Sequence, residues 1–245
     1  MKKNAMRPFG AALSGMLILT LLSVMGQFLK RRLCLSDEWM LGVRILTYLT
    51  PCLFMHRARI DPISVAESDT DGASPFPPAG FALVCGIGIR YLFLLLQYTT
   101  RMPLTAAGAP LDWADVVSAL LLAPVLEELF FRGYLLRGLI PFGNRLAAVI
   151  SSVFFALQHD SLAGIFNGLL CGMMLSQCAL CRSGLFVCIG IHFLLNGTNL
   201  LHSVLPPIAA IGTDAVLFAA GAALSLAALF KKSCCTDSRG SNNKA

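Results

Sequence analysis

Residues 113–136 read WADVVSALLLAPVLEELFFRGYLL, a run long and apolar enough to cross a membrane that nevertheless carries charges at its middle. On insertion scales a charge at the bilayer centre costs about 3 kcal/mol, whereas a leucine or phenylalanine returns only about 0.5 kcal/mol. Charges at a helix end can reach the interface, but a glutamate side chain is too short to do so from mid-depth. Glu127, Glu128 and Arg132 are therefore expected to serve a function.

The composition of the whole chain places this run in a membrane protein. Hydrophobic residues make up 56% of the 245 residues, charged residues make up 13%, and the mean hydropathy is +0.73. Soluble domains carry about 25% charged residues, so this composition argues against an ordinary cytoplasmic enzyme and against a disordered chain. The net charge of +6 does not indicate nucleic-acid binding, because the basic residues flank apolar runs and form no patch.

The distribution of apolar runs predicts an all-α fold, a polytopic membrane helical bundle of about eight transmembrane helices. The long hydrophilic loop is His56–Gly80, and Lys231 and Lys232 are expected to stop the last helix before a polar tail. The predicted spans are Phe9–Leu29, Trp39–Met55, Phe81–Tyr98, Trp113–Leu136, Leu146–Gln158, Leu162–Leu180, Leu185–Val204 and Ile208–Phe230.

The predicted spans also give a domain division and a topology. Residues 1–110 hold the N-terminal helices and one polar loop, residues 111–205 form the core, and residues 206–245 hold the last helix and the tail. An even number of spans puts both termini on one side, and most basic residues then fall on the cytoplasmic side. We expect an integral multi-pass protein of a bacterial plasma (inner) membrane with both termini cytoplasmic.

Helical geometry separates the roles of the three charged residues. Glu128 and Arg132 are four residues apart, so they share a face and can pair, which keeps both charged in a low dielectric. Glu127 is rotated from Glu128 by about 100°. Its neighbour one turn on is Phe131, so it lacks a local cation and is available as a general base or acid. Pro124 removes a backbone hydrogen bond and is expected to kink the helix, which opens carbonyls and room for water.

Two other helices add polar side chains. His159 ends the fifth run, where a lone histidine is more often an interfacial residue. His192 and Asn196 are four residues apart and point one way, although in isolation they could be hydrogen-bonding residues between helices. Asn199 lies off their face and is assigned to packing, and His202 is assigned no role.

The sixth run carries glycines at a helical repeat. Gly164, Gly168 and Gly172 are four residues apart and therefore lie on one face. In membrane helices, small residues at this spacing allow a neighbouring helix to approach closely. We expect a tight helix contact along this face.

Together these polar side chains are the residue types that a hydrolytic site requires. Two glutamates, one arginine, two histidines and one asparagine can supply a base for water, a proton shuttle and donors for an oxyanion. The sequence contains no motif for a serine or cysteine nucleophile and no H-E-x-x-H zinc motif.

The order and spacing of these residues resemble the three motifs of the CPBP family. This family comprises the type II CAAX prenyl proteases and bacteriocin-processing or Abi-type membrane proteins. The resemblance covers about residues 117–201 and leaves out the first three helices and the tail. The motifs are Glu127-Glu128-x-x-x-Arg132, Phe155-x-x-x-His159 and His192-x-x-x-Asn196.

The resemblance implies an intramembrane endopeptidase. By that analogy, Glu127 and His159 activate a water that attacks a peptide carbonyl, and His192 and Asn196 stabilise the resulting oxyanion. The arginine of the first motif orients the glutamates, mainly through Glu128. The predicted catalytic residues are Glu127, Glu128, His159, His192 and Asn196, with Arg132 as an orienting residue.

The third motif bears on the metal question, since it ends in asparagine where an aspartate would add a carboxylate ligand. This favours a glutamic-type mechanism, and we expect no cofactor. A zinc-dependent mechanism stays open, with Glu127, His159 and His192 as the ligands.

Three classes of function follow from these residues. The leading one is hydrolysis of a peptide bond in a membrane-associated protein or peptide, by CAAX-type or by bacteriocin- or leader-type processing. The second is a non-catalytic bacteriocin-immunity or membrane scaffold protein of the same family. The third is a transporter with a proton relay, which would favour inverted repeats that the sequence does not clearly show. Membrane lipids and a membrane-associated substrate are the expected partners, and no nucleic acid is expected.

Overall fold

The computed structural model describes residues 3–62, 80, 82–89, 91, 99, 112–159, 161–180 and 184–241. All regular structure in these residues is helical, with no strand in this part of the chain, so the predicted all-α class is confirmed. The number of eight membrane spans is not established. The predicted span Phe81–Tyr98 and the loop His56–Gly80 lie largely outside the described residues, although residues 82–89 are helical.

The helices follow the predicted apolar runs. Pro207 begins the last one, as expected for a residue whose missing N–H needs no partner in the first turn. The helices are α1 (Lys3–Leu33), α2 (Asp37–Arg57), α3 (residues 113–139), α4 (Asn144–Ala156), α5 (Leu162–Leu180), α6 (Gly184–Val204) and α7 (Pro207–Ser241).

The end of α7 differs from the prediction. Lys231 and Lys232 do not stop the helix, which continues to Ser241 and makes the described part of the polar tail helical. The physical reason is local: lysine is a good helix former, and no proline or glycine occurs between Gly221 and Gly240. A charged pair marks a change of environment along a helix and does not by itself terminate it.

Helix α3 departs from regular α-helix at two places. Pro124 lies two residues after the end of the first of them, in agreement with the predicted distortion. Turns of π-helix are rare, and they occur frequently at functional sites. The α-helical turns are Trp113–Val117, Ala123–Glu128 and Leu136–Leu139, and the π-helical turns are Ser118–Leu122 and Leu129–Leu135.

Helix α3 lies at the centre of the described bundle. It contacts α1, α2, α4, α5 and α6, while α1 packs on α2 and α4 packs on α5. Phe130, Phe131, Leu135 and Leu136 of α3 are fully buried in the core. The charged middle of α3 therefore lies inside the bundle, where only other helices can supply partners.

The glycine face of α5 makes the predicted close contact. A Cβ atom added at Gly168 would lie 3.2 Å from Ala156 Cα, and one added at Gly172 would lie 3.2 Å from Ser152 Cα. The backbones of α4 and α5 are therefore as close as small residues allow. This contact brings the end of α4, and with it His159, against α5.

The outer surface is apolar. Two helical segments, Arg7–Leu33 and Gly184–Val204, are long and apolar enough to cross a membrane, and three shorter helical segments are apolar. A soluble monomer rarely exposes so much apolar surface, which instead suits contact with lipid. Large exposed apolar side chains include Leu17, Leu21, Val24, Phe28, Leu53, Phe186, Ile208 and Val216.

Candidate active site

Glu128 and Arg132 form the predicted pair at the centre of α3. Arg132 Nη1 donates to Glu128 Oε1 over 2.9 Å, and neither side chain is exposed. Arg132 Nη2 donates to the carbonyl of Gly172 on α5, and the guanidinium carbon lies 4.3 Å from the centre of the Phe155 ring. A guanidinium over an aromatic face is attracted to it. Arg132 thus connects α3 to both α4 and α5.

His192 reaches the same carboxylate from α6. Its Nδ1 atom lies 2.8 Å from Glu128 Oε1. A carboxylate paired with Arg132 can only accept, so Nδ1 of His192 is the donor, and Nε2 of the neutral ring is an acceptor. Since Glu128 is fully buried and bonded to two side chains, it is placed to orient its neighbours and not to meet a substrate.

Glu127 has different surroundings. It is 9% exposed, and its Oε1 atom lies 3.8 Å from Arg44 Nη2 on α2. The side chain of Tyr48, also on α2, lies close enough to the Glu127 carboxylate to interact with it. Glu127 indeed lacks a cation on its own helix, but a different helix supplies one.

Neither of these α2 residues is among the site residues that the sequence predicts. A signal was available, because Arg44 interrupts an apolar run, and a charge inside a predicted span indicates function. Tyr48 lies four residues later and therefore on the same face. The identity of their partner was not accessible, since nothing local relates α2 to Glu127.

His159 lies in the turn that follows α4 and is half-buried. Its Nδ1 atom is 3.2 Å from the Ala156 carbonyl, which can only accept, so Nδ1 carries the proton in the neutral ring and Nε2 is an acceptor. The ring packs edge-on against Phe155 with centroids 5.4 Å apart, and it lies over Gly168. An imidazole with a free Nε2 lone pair suits the role of a proton acceptor.

Asn196 is positioned by the irregularity of α3. The N–H of Ala123 bonds to Ser118, and Pro124 has no N–H, so the Ala119 carbonyl lacks a donor from the following turn. Asn196 Nδ2 donates to this carbonyl over 2.9 Å. An asparagine amide carries two N–H donors, so one remains for a ligand.

These side chains line one cavity of about 440 Å³ between α2, α3 and α6. Four of the five predicted catalytic residues line it, namely Glu127, His159, His192 and Asn196, while Glu128 lies behind them. Asn199, which was assigned to packing, also faces the cavity. Other lining residues include Arg44, Ala119, Ala123 and Ser203.

The same side chains were tested as a metal site. Within the described ranges, no three histidine, cysteine, aspartate or glutamate side chains lie close enough together to hold a metal ion. Glu127, His159 and His192 share the cavity without forming such a cluster. The described side chains therefore do not form a preformed zinc centre.

A comparison with protein-family models finds a match over the segment that carries this site. Residues 109–198 match the family model described as type II CAAX prenyl endopeptidase Rce1-like. The matched segment contains all three motifs, whereas α1, α2 and α7 lie outside it. No curated protein and no solved structure matches the chain. The match covers 90 of the 245 residues and makes this segment similar to proteases of the CAAX endopeptidase kind.

Proposed function

We propose that this chain, whose residues 109–198 belong to the CPBP family, is an intramembrane endopeptidase that hydrolyses a peptide bond of a membrane-associated protein or peptide. One observation carries the proposal: Glu127 of α3 and His159, in the turn after α4, line a single cavity together with His192 and Asn196. A base, a second proton acceptor and hydrogen-bond donors around one space are what attack by water on a carbonyl requires.

The proposed reaction begins with a water molecule between Glu127 and His159. The proton of this water passes to the Glu127 carboxylate as the water oxygen bonds to the peptide carbonyl carbon. His159 accepts or returns a proton through Nε2, which its bond to Ala156 leaves available. The C–N bond then breaks, and the proton taken from water is given to the leaving amine.

The oxyanion of the tetrahedral intermediate needs donors. The second N–H of Asn196 is one, since only its first is used on Ala119. His192 can donate through Nε2 only as an imidazolium, because its Nδ1 proton is directed to Glu128. Glu128 and Arg132 therefore act by orienting His192, and we place them as positioning residues in this scheme.

Water activation in this proposal depends on glutamate and histidine alone. Metal analysis of the purified protein, with cleavage assayed before and after dialysis against a chelator, tests this point. Activity that disappears on chelation and returns with Zn²⁺ would replace the glutamic-type mechanism with the metal-dependent one.

The family description favours a CAAX-type substrate over a bacteriocin or leader peptide. We place the protein in a bacterial plasma membrane, with both termini in the cytoplasm and lipid around the exposed apolar faces of α1, α2 and α7. The substrate would enter from the membrane, because α2 borders the cavity and also carries one of these faces.

The test compares cells that produce the wild type, Glu127→Gln, His159→Ala or Glu38→Gln, in which an exposed glutamate is changed as a control. New peptide termini in the membrane proteome are quantified for each strain. We expect termini that depend on the wild type, persist with Glu38→Gln and disappear with the other two variants, although all four proteins insert.

Two outcomes contradict the proposal. Cleavage that persists in Glu127→Gln would exclude this glutamate as the base. A protective or scaffolding phenotype that survives Glu127→Gln, with no wild-type-dependent termini, would establish the non-catalytic alternative.

A further inference from the structure

The environment of Glu127 includes a helix that the family match does not reach. Arg44 Nη2 lies 3.8 Å from Glu127 Oε1, and Nη1 of the same guanidinium donates to the Ser118 hydroxyl. A guanidinium is planar and holds its donors in fixed directions. The bond to Ser118, in the first π-helical turn of α3, therefore sets the orientation of the edge that faces Glu127.

Tyr48 adds a second contact from the same face of α2. Its side chain is buried and lies close enough to the Glu127 carboxylate to interact with it. The ring packs edge-on against Phe130 of α3, with centroids 6.3 Å apart, so the hydroxyl is held in place by the core. Arg44 and Tyr48, four residues apart, thus converge on one carboxylate.

The other charged groups near Glu127 are committed elsewhere or lie across the cavity. Arg132 pairs with Glu128, and His192 bonds to that same carboxylate. His159 bonds to the Ala156 carbonyl. Arg44 is accordingly the cation that the described structure pairs with Glu127.

We propose that Arg44 and Tyr48 are positioning residues that hold the Glu127 carboxylate in its orientation toward the cavity, which makes α2 part of the catalytic unit. This inference rests on the proposed peptidase function. It extends the working site beyond residues 109–198, since a general base contributes only when it is held within reach of its proton.

The test uses the full chain purified in detergent and a fluorogenic peptide with a prenylated cysteine followed by three residues and a free carboxylate. Arg44→Met is expected to lower kcat by about 10- to 100-fold, because a misplaced catalytic group costs about that much. KM stays within about twofold of the wild-type value, since the group acts on the base and not on the substrate. Arg44→Lys, which keeps the charge, recovers part of the loss.

Chemical rescue distinguishes a positioning role of Arg44 from a merely structural one, because an added cation can replace only a missing charge. The Arg44 side chain is 39% exposed and borders a second cavity of about 590 Å³, so a small cation can reach its place. Guanidinium ion at millimolar concentration should raise the kcat of Arg44→Ala. The matched control is Arg31→Met, which changes another arginine of the second cavity and should leave kcat unchanged.

Tyr48→Phe removes only the hydroxyl and is expected to lower kcat by about tenfold, the rate equivalent of losing one polar contact of ordinary strength. Both α2 variants act through Glu127. In a Glu127→Gln background, neither should change the residual rate further.

Three results overturn the inference. KM that rises with kcat unchanged would make Arg44 a substrate contact. A loss of kcat that neither lysine nor guanidinium recovers, and that follows a loss of folded protein, would make its role structural. If the α2 variants lower the rate equally with and without Glu127, then α2 does not act through this base.

The proposed peptidase function can be wrong while the coupling of Arg44 to Glu127 is still correct. If the wild type cleaves neither this peptide nor any cellular protein, thermal unfolding of Arg44→Met, Glu127→Gln and the double variant decides the inference. Additive changes in unfolding then overturn it, and a non-additive result supports the coupling of the two side chains.

Discussion

Nδ1 of His192 lies 2.8 Å from Oε1 of Glu128, and the same oxygen accepts a hydrogen bond from Arg132 over 2.9 Å. The first and third motifs thus meet at a single buried carboxylate oxygen, although they lie 64 residues apart in the chain at this contact. The carboxylate connects α3 to α6 and sets the orientation of the His192 ring at the wall of the cavity.

Arg132→Met should destabilise the protein strongly. The change removes the permanent cation beside a fully buried carboxylate, and breaking such a pair costs about 3–5 kcal/mol. Unfolding of the purified protein in detergent measures this cost. The matched control is Arg145→Met at an exposed arginine, which should change stability by less than about 0.5 kcal/mol. Equal losses in the two variants would show that the buried pair is not a major source of stability.

Gly168→Ala should disturb His159. The added Cβ would lie 2.9 Å from Cε1 and 3.0 Å from Nδ1 of the His159 ring, so the ring has to move. We expect kcat to fall by about tenfold or more, since small displacements of a catalytic group are costly. Gly190→Ala is the control, because a Cβ there meets nothing within 4 Å. The free energy of unfolding of Gly190→Ala should stay the same or rise by up to about 1 kcal/mol. Full activity in Gly168→Ala would contradict the placement of His159.

Asn196→Leu should cost about 1–3 kcal/mol, because it leaves the Ala119 carbonyl without its donor. Pro124→Ala supplies a backbone N–H near that carbonyl. Combined with Asn196→Leu, it should therefore recover part of the lost stability. A double-mutant cycle on thermal unfolding measures this coupling. Strict additivity would mean that Pro124 is not the reason for the free carbonyl.

His202→Leu should destabilise the contact between α6 and α7. His202 Nε2 lies 2.9 Å from Oδ2 of Asp214, whose side chain is fully buried. Loss of this ion-pair partner should cost about 1–3 kcal/mol, because the Asp214 carboxylate stays buried. His56→Leu changes an exposed histidine and serves as the control. The sequence predicts no role for His202, and an unchanged unfolding temperature in His202→Leu would support that prediction.

The predictable part of the structure is local. Helix positions, the pairing of Glu128 with Arg132 and the distortion near Pro124 follow from the apolar runs and from 3.6 residues per turn. The glycine face of α5 is equally local, and its close contact with α4 was confirmed. The prediction that the lysine pair stops α7 is wrong, because lysine favours helix.

The sequence predicted which residues belong to the site but not how they are arranged. The three motifs named Glu127, His159, His192 and Asn196, and the structure brings these four residues to one cavity. The roles within the first motif became clearer from burial, since Glu128 is enclosed and Glu127 is not. Periodicity shows that the two glutamates face different ways, but it does not show which way is inward.

The amino-acid sequence by itself determined that the chain is helical and apolar, and it identified the few polar side chains that apolar surroundings make costly. Each of those properties depends on residues within one or two helical turns. Only the tertiary structure decided that Arg44 and Tyr48 face Glu127 and that His192 faces Glu128. These partners lie on separate helices, and their contact depends on how the helices pack and rotate against one another, which no spacing along the chain specifies.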